Sequence, residues 1–281
     1  MELAKRERRK SREKGGVQSI VRTLCRQVEV ELKMFFRNQH GAFLHFAFPV
    51  GAAFLLVYLH REGVLDTLFR FLFGFMNQGQ MENVPVMSFL LPALIGYCVI
   101  AVAFEDLSPK LTRQRDNKIL KRLGGTPLRG WVLLGGKVLS AGVIALLEIL
   151  VTISIVTLFS DIMITGDPWW SLVVLITGIF IFTSMGFAVA GLVKNTEAAV
   201  VAVHAIYIPM FFLCGALFPI EVMPELLQYV AKALPLTYFL NLLRGIMMEG
   251  NNIVVHVGDF LILLGWIVGS LIVSLKTFRW E

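Results

Sequence analysis

Over 281 residues the chain is 56% hydrophobic and 16% charged, with a mean hydropathy of +0.72. Soluble domains carry about 25% charged residues, so this balance excludes a water-soluble globular protein and indicates one integral membrane domain. The net charge of +6 does not mark a nucleic-acid binder, because its placement along the chain follows membrane topology.

In chain order, residues 1–16 form a charged tail. From 17 to 36, Ile20, Leu24, Val28, Leu32, Phe35 and Phe36 recur at helical spacing among Arg22, Arg26 and Lys33. An apolar stripe beside basic residues, too charged to insert, describes a helix lying on the inner membrane surface. The other reading of this pattern is a helix packed on a soluble partner. Six apolar stretches then reach the roughly 20 residues needed to cross a ~30 Å hydrocarbon core. They are 42–60, 86–107, 131–159, 169–193, 198–217 and 253–275. The first begins too far in, and is too long, for a cleavable signal peptide, and serves as a signal anchor. Residues 63–75 are amphipathic and suit the outer interface. Trp169 and Trp170 anchor the fourth span at headgroup level outside, and Trp131 anchors the third inside.

The region before the last span is broken. Pro209 is expected to kink the fifth span, and Pro219, Pro224 and Pro235 divide the stretch up to the sixth span into short pieces. Residues 221–234 suit a short amphipathic helix, and 236–248 are apolar but too short to cross. Two short re-entrant helices forming an outer lid fit this pattern. A pair of ordinary surface helices is the alternative.

Eleven Lys/Arg precede the first span, seven lie in 110–129, one is Lys194, and two are Lys276 and Arg279. Arg61, Arg70, Lys232 and Arg244 are the four on the opposite side, a ratio of 21 to 4. Basic residues are retained on the cytoplasmic side, so both termini are expected there, with anionic lipid as a contact. Within the basic loop, Ser108-Pro109 reads as a helix start and Gly124-Gly125 as a stop, with Thr126-Pro127 opening the next span. A short capped basic helix is thus expected between spans two and three, built to touch something in the cytoplasm.

Enzyme motifs are missing. Gly135-Gly136-Lys137 looks like the end of a phosphate-binding loop, but Val138 comes next where Ser or Thr is needed. The three cysteines, Cys25, Cys98 and Cys214, have neither disulfide nor metal spacing and read as small buried hydrophobes. Ionisable groups inside spans are functional candidates, since charge in hydrocarbon costs about 2.5–3.5 kcal/mol on insertion scales. These are Glu148, His45, His204, His256 and Asp259, with Glu148 foremost in either an interhelical or a substrate role. Lys137 is expected to snorkel, and Glu105 and Asp106 to reach water.

The layout and several local sequences resemble the membrane subunit of type-2 ABC transporters, the exporter permease family. Asn117-Lys118-Ile119-Leu120-Lys121-Arg122-Leu123-Gly124-Gly125-Thr126-Pro127-Leu128 resembles that family's basic helix and the opening of its third span. Gly135-Gly136-Lys137-Val138-Leu139 resembles its continuation. The segment between spans five and six is similar at Cys214–Ile220, Met223-Pro224, Leu234-Pro235-Leu236-Thr237-Tyr238 and Leu243-Arg244-Gly245, and the ending at Phe278-Arg279.

The resemblance implies an all-α membrane fold, with residues 1–37 as tail and connecting helix and 38–281 as the six-span domain. It implies a homodimer or heterodimer of permeases on cytoplasmic ATP-binding subunits, which hold the ATP and Mg while this chain binds no cofactor. Lys110, Arg113, Arg115, Lys118, Ile119, Leu120, Lys121, Arg122 and Leu123 would form the coupling helix that docks there. Tyr97, His204, Tyr207, Phe211 and Phe212 would line the substrate path, or alternatively pack on neighbouring helices. Phe218, Pro219, Pro224, Pro235 and Arg244 would form the outer gate. The implied function is export of an amphiphilic drug, antibiotic or lipid through the cell membrane. Export of a polysaccharide or lipid-linked glycan is the alternative within the family. An ion-coupled secondary transporter using Glu148 and His204 is a different class, and so is a non-transporting membrane assembly or signalling subunit.

Overall fold

The structure, a computed structural model, describes residues 21–74, 86–125, 130–160, 162 and 164–277. Helix α1 covers 21–37, and Asn38 caps α2 (Gln39–Arg61), its side chain accepting from the Gly41 amide at 3.3 Å. Helix α3 (Val64–Gly74) comes next. Helix α4 (Val86–Ile100) runs through a π-helical turn, Ala101–Asp106, into α5 (Leu107–Asp116). Then come α6 (Ile119–Gly124), α7 (Gly130–Phe159), α8 (Pro168–Leu192) and α9 (Thr196–Leu213). Short α10 (Glu225–Ala233) and α11 (Pro235–Leu243) precede a second π turn at Arg244–Met248, and α12 (Val257–Thr277) ends the described chain.

Six helical stretches are long and apolar enough to cross a membrane: Gly41–Arg61, Val86–Asp116, Val132–Phe159, Pro168–Leu192, Thr196–Leu213 and Ile253–Thr277. The protein is an all-α integral membrane protein, with each of the six expected spans present. The second and fourth spans are largely buried, whereas the first, fifth and sixth turn most of their surface outward.

Two boundaries differ from the sequence reading. The basic segment is not a separate helix starting at Ser108. Leu107, Ser108, Leu111 and Thr112 are buried, with Leu107 and Leu111 packed on Phe187 and Ala190 of α8, and this contact carries the second span on to Asp116. Pro109 lacks an amide and crowds the preceding turn. The wider π turn at Ala101–Asp106 lies immediately upstream, where it relieves that crowding. The helix stops instead at Asn117-Lys118, where Lys118 takes a left-handed conformation (φ 55°), and α6 begins a new axis. The second difference is in the fifth span, which ends at Leu213, because Gly215 (φ 80°) turns the chain just beyond it. Residues 126–129, with the expected Thr126-Pro127 start, lie outside the described residues, as do residues 17–20 of the surface helix and the ending at Phe278-Arg279.

Of the two short helices expected between spans five and six, only one enters the bundle. In α11, Leu236, Phe239, Leu240, Leu242 and Leu243 are fully buried, in a slot walled by α4 and α8 and packed against α12. Glycines on both walls make the slot. A methyl group on Gly96 would come within 2.8 Å of Leu240, and one on Gly178 would overlap the Phe239 ring. Phe239 stacks edge-on against Phe182 at 5.9 Å. Helix α10 instead leaves Leu226 and Tyr229 exposed and packs on α9.

Helix α1 is fastened by charge. Glu31 is only 2% exposed. It accepts from Lys137 Nζ of α7 at 2.7 Å and lies 3.2 Å from Lys110 Nζ of α5. Lys137 therefore does not snorkel but is buried and paired. The adjacent Gly136 is what lets α1 approach, since a methyl group there would overlap Gln27. Burial pushes the Glu31 carboxyl up, and Lys137 and Lys110 more than reverse this, holding it below the ordinary 4.5.

Thermal unfolding in detergent checks both devices. Glu31→Ala should cost about 3–5 kcal/mol, because it strands buried ammonium charge. Since the native carboxyl titrates below its ordinary value, its contribution should be complete above pH 4.5 and lost as pH falls through the lowered native value. Gly178→Ala should cost about 1–3 kcal/mol by overpacking. Gly142→Ala, where Ile179 leaves 3.8 Å, should change little.

Candidate functional site

The basic elbow formed by α5 and α6 presents a mixed face. Arg113, Lys118, Ile119, Lys121 and Arg122 are exposed, and Arg122 reaches back to the Asn117 carbonyl at 3.4 Å. Three residues expected on this face turn inward. Leu120 is 1% exposed. Lys110 is held by Glu31, and Arg115 donates to the Ala190 and Val193 carbonyls at 2.9 and 2.6 Å, closing the end of α8. Leu123 is half-buried. Asp116 accepts from the Thr196 amide and hydroxyl at 2.9 and 2.7 Å, fixing the start of α9. The elbow is thus bonded to the ends of two spans at once.

Four of the five expected path residues share one aromatic cluster. Tyr97 of α4 lies 6.3 Å from Tyr207 and 6.1 Å from Phe211 of α9, with Phe212 6.5 Å from Phe211. Phe48 of α2, which the sequence reading did not single out, joins at 4.6 Å from Tyr97, and it and Phe212 are exposed. Three spans therefore contribute rings to one outward-facing patch. His204 stands apart from the rings and pairs with Glu105 of the first π turn at 3.2 Å.

Glu148 is 1% exposed and lies 3.3 Å from His45, out of line for a hydrogen bond. His45, together with Asn38, Glu105, Asp106, Lys110 and Arg113, also lines a cavity of about 250 Å³. Glu148 and His204, grouped by the ion-coupled reading, thus have different partners on different helices. His256 pairs with Asp259 at 3.6 Å. Among the described residues no His, Cys, Asp or Glu group could hold a metal ion. Cys98 and Cys214 are buried as expected, but Cys25 is exposed.

On the opposite side, Pro219 precedes a short 3-10 turn, Pro224 precedes α10, and Pro235 is the first residue of α11. Arg244 donates to the Gly215 carbonyl at 2.6 Å and stacks over the Phe89 ring at 3.8 Å. It ties the turn after α9 to α4, with Phe218 exposed alongside.

Glu31 also escaped the sequence reading, although a signal was present. It lies three residues after Val28 and four before Phe35, so it falls on the apolar stripe, where an acid needs a partner.

Comparison with known proteins agrees with this architecture. The ABC-2 type transporter family matches residues 30–248, well over half of the chain. Nodulation protein J of Bradyrhizobium diazoefficiens is 28% identical over 190 residues, covering 64% of this chain and 70% of that protein. The probable multidrug ABC transporter permease YbhS of Escherichia coli is 25% identical over 182 residues, covering 63% of this chain and 47% of that one. ABC transporter G family member 20 of Dictyostelium discoideum is 22% identical over 190 residues, 66% of this chain and 26% of its own length. The family match, extending from the buried Glu31 helix to the end of the π turn that begins at Arg244, shows that the chain belongs to the ABC-2 type transporter family as a membrane permease.

Proposed function

We propose that this permease forms, as a dimer, the translocation path of an ATP-driven exporter in the cell membrane, with both termini in the cytoplasm. Its cargo is an amphiphilic compound, and a separate ATP-binding subunit carries the ATP and Mg. The family implies that subunit, and the printed description of YbhS as a probable multidrug permease supports the cargo class.

One observation carries the reading. A single helical stretch from Val86 to Asp116 joins the aromatic patch at Tyr97 to the basic elbow. The distance from Tyr97 to Asp116 is about 28 Å at 1.5 Å per residue. A displacement imposed at the elbow reaches the rings through this stretch, and reaches α8 and α9 through Arg115 and Asp116. Exposed Arg113, Lys118, Lys121 and Arg122 supply the charged part of the docking face, and Ile119 supplies the apolar part. Arg115 and Leu120 act from inside, holding the elbow in place. Phe48, Tyr97, Tyr207, Phe211 and Phe212 offer apolar, polarisable walls suited to an amphiphile. The Arg244 tie and the slot-held α11 close the outer end.

Charge reversal tests the docking claim. Arg113→Glu, Lys118→Glu and Arg122→Glu together should abolish co-purification with the ATP-binding subunit and the ATP turnover of the complex, leaving the permease monodisperse. Intact assembly would overturn the docking face. Tyr97→Ala with Phe211→Ala should preserve assembly and basal turnover, and should reduce ATP-dependent transport of a lipophilic fluorescent dye into inverted vesicles by about tenfold, the scale of losing one aromatic pair.

A further inference from the structure

Helices α8 and α12 pack side by side and are pinned where the Ser184 and Ser270 hydroxyls meet at 2.5 Å. Beside this contact runs an apolar groove of about 590 Å³, walled by Met185, Val189, Ile262, Trp266 and Val273. Gly265 and Gly269 form its floor, and nothing lies within 4 Å of where a side chain on either would point. From Ile262 to Val273 the groove rises about 17 Å, close to one leaflet's share of a ~30 Å hydrocarbon core.

A second cavity, of about 470 Å³, lies where the two helices end, and among the described residues Arg115, Lys194 and Lys276 line it with no carboxylate. Lys276 stands one turn beyond Val273 and Gly191 two residues beyond Val189, so the basic cavity follows the apolar groove along both helices. Cations at helix C-termini are ordinarily accounted for by the free carbonyls there. Here Arg115 already serves the Ala190 and Val193 carbonyls of α8. No carboxylate among the described residues forms an ion pair with Lys194 or Lys276. The site therefore sets a leaflet-deep apolar trough end to end with three cationic side chains.

We infer that this composite site binds an anionic phospholipid, with an acyl chain in the α8–α12 groove and the phosphate between Lys194 and Lys276 beside Arg115. A zwitterionic headgroup would bring a further cation into a cavity that already has three, so the site discriminates by headgroup charge. Each surface lysine is worth roughly fivefold in anionic-lipid affinity.

Trp266 reports on occupancy directly. The full chain with its other tryptophans changed to Phe is placed in nanodiscs of phosphatidylcholine, with small fractions of brominated-acyl phosphatidylglycerol or brominated-acyl phosphatidylcholine. The phosphatidylglycerol should quench Trp266 at a fraction at least about tenfold lower than the phosphatidylcholine, on that lysine scale. Lys194→Gln with Lys276→Gln should remove the preference. Gly265→Leu with Gly269→Leu should remove the excess quenching, because the groove is filled. Should the tryptophan changes impair folding, native mass spectrometry of the otherwise unaltered chain reads the same preference as retained phosphatidylglycerol, lost in the double lysine variant. Equal quenching by both lipids, or a preference that survives the lysine changes, overturns the inference. So does displacement by free glycerol phosphate, which would make this a site for a soluble phosphate. Efficient disulfide formation between two chains carrying Gly269→Cys would place a second copy in the groove, with the same consequence.

Discussion

Within hydrocarbon a helix gains little by burying its apolar side chains against another helix, because lipid tails are as apolar as leucine. Closeness of fit then decides which helices meet. The slot that holds α11 meets this constraint with two glycines, Gly96 and Gly178, which remove the material that Leu240 and Phe239 need to occupy. The central α4 and α8 thereby receive a short helix against both of them while still touching each other directly. Where α8 closes on the first π turn, Gly186 serves similarly, a methyl group there lying 3.1 Å from the Ala103 carbonyl. The spans α2, α9 and α12 turn most of their surface outward, where it can vary, while the inner face of α12 stays packed on α8 and α11.

Charge does the corresponding work at the basic end. Glu31 joins α1, α5 and α7, Arg115 joins α5 to α8, and Asp116 joins α5 to α9. All three links converge on α5, which is the continuation of the second span. The aromatic patch, the elbow and α1 are therefore parts of one mechanical unit, and the broken segment before the last span is connected to it through α4, where Arg244 stacks on Phe89.

The six spans and the broken region before the last one were legible in the sequence, because length and apolarity alone determine whether a helix crosses a bilayer and prolines mark its interruptions. Inter-helix contacts were not legible in the same way. Ser108-Pro109 carries a good local start signal, yet the burial of Leu107 and Leu111 on α8 outweighs it, and the helix runs through. Arg115 has the same composition as its exposed neighbours, and only the tertiary position of the α8 carbonyls turns it inward; Leu120 is buried on the same elbow. Phe48 belongs to the patch through a neighbour 49 positions away, Tyr97, a relation that no spacing rule contains. Gly135-Gly136-Lys137 was legible as a resemblance but not as physics. Its physical role is a gap at Gly136 for Gln27 and an ammonium for Glu31.

The bend at Lys118 has a consequence for stiffness. A glycine at that point would visit both signs of φ freely, and the two arms of the elbow would swing. Lysine occupies the left-handed region only in a narrow basin, so the angle between α5 and α6 is sharply defined. Force applied to the short arm is then delivered to the long one instead of being dissipated in the joint. A bell crank, not a hinge, is the appropriate mechanical image for residues 107–124.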